Sequence, residues 1–128
     1  MENCQELLKE WQERLFLQAW RIVIRTNLKP DDMDLSDCYG TVDWTEPSKA
    51  AEICIVDPNC ISDRIVPFDM EKTIVHELLH LKFSLLSDNQ DGFQDRYVHQ
   101  IIDEMARALV DARRTNAKRV YSLEVEPE

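Results

Sequence analysis

The sequence predicts an α+β fold: an N-terminal helix, a small twisted, mostly antiparallel sheet of about three strands, a helix carrying a histidine motif, and a long C-terminal helix. Apolar residues recur at helical spacing near the N-terminus and again through the second half of the chain. Between these segments, residues 20–57 hold three short runs rich in β-branched and aromatic types. The strands therefore come as one block instead of alternating with helices, the pattern of an α+β domain.

Residues 3–19 read as the first helix. Leu7, Leu8, Trp11, Leu15 and Ala19 form one stripe, opposite Glu6, Lys9, Glu10 and Glu13. Such a stripe is ordinarily core. Trp20 to Thr26 alternates apolar and polar residues except at Val23, and reads as a strand with one buried face. Lys29-Pro30-Asp31-Asp32 marks a turn, and the acidic run through Asp37 reads as a solvated loop without the Gly and Glu spacing of a calcium loop. Cys38 to Trp44 and Ala51 to Asp57 are the second and third strands, and their spacing suggests an antiparallel meander. Asp69 is placed as N-cap of a helix running to about Leu86, and a loop over 87–92 leads to a last helix from about Phe93 to Thr115. Val120 to Val125 alternates enough to add as a short strand, one that could lie in a substrate groove; a frayed, flexible tail over 116–128 is the favoured reading. Residues 1–115 form one domain on this reading.

Composition narrows the function classes. The 128 residues are enough to bury a core without disulfides. Fifteen Lys and Arg against 25 Asp and Glu give a net charge of −10, which disfavours general binding to nucleic acid or to an anionic membrane. No apolar run is long enough to span a bilayer, and Met1 to Gln5 lacks the character of a signal peptide, so a cytoplasmic protein with reduced thiols is expected. None of the four cysteines forms a C-x-x-C pair, and Cys54 reads as a small core residue.

The chemistry is concentrated in His76-Glu77-Leu78-Leu79-His80, an H-E-x-x-H motif that uses two of the three histidines. On a helix, residues i and i+4 lie one turn apart on one face, so both imidazoles can reach one metal ion, expected to be zinc. Glu77 is then placed as general base toward a metal-activated water. On a helical wheel both histidines fall on the side opposite Leu78, away from the Ile74, Leu78, Leu81 and Leu85 stripe. Phe83 shares their side, which points to a covered face rather than a solvated one.

A catalytic zinc needs a third protein ligand. A short loop makes the next helix an antiparallel neighbour, bringing residues near 99–104 beside the motif. The candidates are His99, Asp103 and Glu104. With the stripe around Ile101 taken as the buried face, Glu104 falls at its rim, while His99 and Asp103 point away from it. Glu104 is favoured, with His99 and Asp103 as the alternatives.

The motif stretch Thr73 to Leu81, followed by Ile102-Asp103-Glu104-Met105-Ala106-Arg107-Ala108-Leu109, resembles the gluzincin type of zincin metallopeptidase, in which a glutamate on a later helix is the third ligand. The second stretch is similar to the glutamate helix of the ImmA/IrrE group, common in phage and mobile elements. The resemblance covers about residues 50 to 112. It implies a zinc peptidase with one zinc ion, acting on a protein or peptide substrate. It also implies that the strand before the motif helix pairs with extended substrate, which points to Ile53 and Ile55 as substrate-binding positions. Tyr97 is the candidate for oxyanion stabilisation. The alternative is a catalytically silent, zinc-stabilised protein-binding module, such as an antirepressor-like factor. The oligomeric state is open.

Overall fold

The computed structural model describes the backbone of residues 3–29, 39–60, 67–84 and 92–125, and the side chains in those spans except at 92–96 and 117–125. The order is α1 (Cys4–Arg14), β1 (Arg21–Leu28), β2 (Gly40–Thr45), β3 (Ala50–Val56), a single 3-10 turn (Pro58–Cys60), α2 (Met70–Phe83) and α3 (Gly92–Val125). The α+β class expected from the sequence is the one observed. The acidic run, Cys38 and the loop over 87–91 lie outside the described residues.

Helix α1 starts where Asn3 accepts a 2.8 Å hydrogen bond from the Glu6 amide, satisfying one of the orphan donors of the first turn. It stops five residues before the predicted end. Leu17 N–H donates to Gln12 O at 2.7 Å and Phe16 N–H to Glu13 O at 3.3 Å, the paired bonds of a Schellman cap. That cap requires a left-handed residue, and Phe16 takes the position at φ 59°. Leu17 then turns into the core, 3% exposed.

The sheet order is β1-β3-β2. Strands β2 and β3 form the expected antiparallel pair, with Val42 opposite Ile53, but β1 runs parallel to β3 on its other side, with Ile24 opposite Ile53. The meander expectation is therefore corrected to a mixed sheet. Burial accounts for the order: Ile53 and Ile55 are fully buried, and the most apolar strand takes the centre, where both neighbours satisfy its backbone. A meander would have centred β2, whose Asp43, Trp44 and Thr45 are exposed.

Helix α2 is the hub, touching α1, α3, β2 and β3. Ile74, Val75, Leu78 and Leu81 are fully buried, and Leu79 nearly so. This explains its weak one-sided pattern, because a helix covered on several sides is apolar on several sides. Its N-cap is Asp69, as expected, accepting from the Lys72 amide at 3.1 Å. Arg114 of α3 grips the other face of that carboxylate, with Nη1 to Oδ2 and Nη2 to Oδ1 both at 2.9 Å. Buried Glu71 accepts from Trp11 Nε1 at 2.7 Å and pairs with Arg113 and Arg114 at 3.1 Å, so one carboxylate ties α1, α2 and α3.

Helix α3 buries Ile102, Ala106 and Val110. It continues through Val125, so Val120 to Val125 forms neither a strand nor an irregular tail. No helix among the described residues is long and apolar enough to cross a membrane.

Candidate metal centre

Helical spacing and a covering helix build the site. His76 and His80 lie one turn apart on α2, and their Nε2 atoms are 3.1 Å apart. Two nitrogens bound tetrahedrally at about 2.05 Å from zinc would sit about 3.3 Å apart. His99, from the α3 turn that crosses above, completes the group: its ring centroid is 4.3 Å from that of His80 and 5.4 Å from that of His76. One nitrogen from each ring lies within 4.8 Å of the others. These three histidines lie close enough to bind one metal ion.

The electrostatics suit that role. Burial holds the His80 imidazole down to about 3, with the neighbouring His76 and His99 adding to the effect. Burial likewise lowers His76, and His99 adds to it, while Asp103 pulls the other way. Both rings are therefore neutral near pH 7, the state a metal ligand requires. Asp103 approaches the far side of His76, with Oδ1 3.6 Å from Nδ1, and Arg107 holds the other Asp103 oxygen at 3.4 Å. A carboxylate behind a ligating imidazole fixes its tautomer and raises its basicity.

The Glu77 carboxylate lies beside the beginning of β2, its Oε2 3.4 Å from where a Cβ on Gly40 would stand. Glu77 is 6% exposed, and its carboxylate has no hydrogen-bond or ion-pair partner among the described residues. Burial alone raises it to about 8. A nearby dication would favour its charged form.

The structure brings His76, His80 and His99 together and leaves Glu104 apart. Glu104 is exposed, and its carboxylate accepts from Gln100 Nε2 at 3.4 Å. The reason lies in α3. Ile101, taken as the centre of the buried stripe, is 51% exposed; the buried face is centred on Ala106, about 140° further round. On that face His99 is in line with Ile102, Ala106 and Val110, at spacings of three, four and four residues. This row was the signal in the sequence, masked by the longer run Tyr97, Ile101, Met105, Ala108 and Ala112 on the open face. Asp103 belongs at the site too, behind a ligand candidate.

The substrate-binding assignment of Ile53 and Ile55 also changes. Ile53 and Ile55 are fully buried in a strand paired on both edges, so β3 offers no edge to a peptide. Tyr97 is 50% exposed, two residues before His99. No protein-family model, curated protein or solved structure compared with the chain matches it.

Proposed function

We propose that the chain is a zinc-dependent peptidase in which His76, His80 and His99 hold the metal and Glu77 is the general base. The observation that carries this reading is the convergence of three imidazoles, two of them with Nε2 atoms 3.1 Å apart, next to the buried glutamate of an H-E-x-x-H helix. Three nitrogen donors fit a catalytic zinc, which keeps its fourth position open. Zinc bound there would supply Lewis acidity and make water a competent nucleophile near neutral pH.

The remaining chemistry belongs to the protein. Glu77 takes a proton at its carboxylate and returns it to the leaving amine. Asp103, steadied by Arg107, holds His76 in the tautomer that presents Nε2. Strand β2 is an outer strand of the sheet, packs on α2 and starts beside Glu77, so it takes the peptide-pairing role that β3 cannot fill.

The test is Glu77→Gln, with zinc content and cleavage of an unfolded protein substrate measured together. Zinc content is expected to hold while cleavage falls by about 10²–10⁴-fold, the usual contribution of a general base. Cleavage at the wild-type rate in the variant refutes the mechanism. Zinc-loaded wild type that binds a protein partner but cuts nothing supports the silent binding module instead.

A further inference from the structure

The start of β2 passes unusually close to α2. A Cβ built on Gly40 would lie 2.8 Å from Thr73 Cγ2, 3.3 Å from the Cys54 carbonyl oxygen and 3.4 Å from Glu77 Oε2. Carbon atoms pack best at about 3.5–4.0 Å, so any side chain here would force the strand and the helix apart by about 1 Å.

Neither wall is free to give way. Thr73 is buried, and its Oγ1 donates to the Asp69 carbonyl at 2.8 Å. On the other side the strand is locked to β3: Gly40 pairs with Ile55, and Val56 N–H donates to Tyr39 O at 2.9 Å. The Tyr39 ring meets Phe68 edge-on at 5.3 Å, fastening the same turn to the approach of α2. The bare backbone of Gly40 therefore lies directly beside the Glu77 carboxylate.

We propose that Gly40 is a positioning residue for Glu77: its missing side chain lets β2 lie against α2 and hold the Glu77 carboxylate in place at the reaction site. This rests on the peptidase reading for its consequence in turnover, but not for the placement itself. A wider gap would admit water and let the carboxylate swing, and a misplacement of about 1 Å can cost about 10²-fold in rate.

Gly40→Ala, Thr73→Ser and the double variant separate the possibilities. Thr73→Ser removes the Cγ2 methyl that a new Cβ would strike, while keeping the hydroxyl bonded to Asp69. The full-length, zinc-loaded proteins are treated with a water-soluble carbodiimide and glycine ethyl ester, and labelling of Glu77 is read by peptide mass spectrometry. Kinetics, zinc affinity and melting temperature are measured alongside. The expected result is low Glu77 labelling in wild type and Thr73→Ser, a several-fold rise in Gly40→Ala, and a return toward wild type in the double variant. In parallel, kcat should fall about 10²-fold in Gly40→Ala with zinc affinity little changed, and should recover at least about 10-fold in the double variant. Unchanged labelling and kcat in Gly40→Ala overturn the proposal. A loss of kcat that tracks lowered melting temperature and zinc affinity, without rescue, shows a merely structural glycine and also overturns it. The expected labelling pattern in a protein without peptidase activity upholds the placement of Gly40 and overturns the peptidase reading.

Discussion

Replacing His99 with alanine should weaken zinc binding by at least about 100-fold, whereas Glu104→Ala should leave it within about 3-fold of wild type. The lower bound follows from the geometry. His99 supplies one of three nitrogens lying within 4.8 Å of one another, and removing even an outer-shell partner of a ligand costs about 10–100-fold, so loss of a direct ligand belongs beyond that range. Glu104 is exposed on another side of α3 and is bonded to Gln100, so its removal touches nothing at the site. His99 is itself exposed, and its loss should change the stability of zinc-stripped protein by no more than about 0.5 kcal/mol. The affinity is read by competition against a chromophoric chelator near neutral pH. A thermal melt gives an independent readout. With zinc at about 100 times the wild-type Kd, binding stabilises the wild type by about 2.7 kcal/mol and a variant 100-fold weaker by about 0.4 kcal/mol. For a domain of this size the difference corresponds to a lost melting shift of roughly 9 °C. Tight zinc binding that survives His99→Ala and is lost in Glu104→Ala would refute the three-histidine centre.

Asp103→Ala should reduce zinc affinity by about 10-fold without changing the number of ions bound, because it removes the carboxylate 3.6 Å behind His76; isothermal titration reads both quantities. Asp69→Asn keeps a good N-cap but loses the charge gripped by Arg114, and should cost about 1.5–3 kcal/mol at pH 7 by urea denaturation. Burial alone would raise the Asp69 carboxyl, but Arg114, the Lys72 amide and the Lys72 charge outweigh it and hold it below 3.8. A carboxylate lowered on folding stabilises the protein above its unfolded value and loses that contribution as pH falls through the folded one. The difference between wild type and Asp69→Asn should therefore shrink below about pH 4, and a constant difference down to about pH 2 would contradict the assignment. Phe16→Gly should stabilise the protein by about 1 kcal/mol: the side chain is 79% exposed, its left-handed backbone costs about 1–2 kcal/mol, and the Lys82 ammonium 5.9 Å from its ring returns only part of that. Loss of stability in that variant would mean the ring contributes more than its exposure allows.

What could be read in advance follows the range of the forces involved. Asp69 acts as a cap within three residues of itself, so the start of α2 was legible. The hairpin of β2 and β3 was legible for the same reason. The end of α1 was not, because Phe16 occupies a cap position that glycine ordinarily takes, and Leu17 is drawn into the core by contacts from distant residues. The sheet order was hidden because pairing β1 with β3 bypasses the strand between them in sequence.

The same division runs through the metal site. The sequence by itself determined that His76 and His80 share one face of a helix, that Glu77 follows the first of them, and that another helix returns across that face. Helical periodicity is a local property and needs no knowledge of the fold. Only the tertiary structure decided which side of α3 meets the motif. That helix carries two apolar rows, Ile102-Ala106-Val110 and Tyr97-Ile101-Met105, and either is a sound buried face when the helix is considered alone. The choice belongs to α2, whose packed surface accepts Ile102, Ala106 and Val110, and with them turns His99 toward the histidine pair and Glu104 toward solvent.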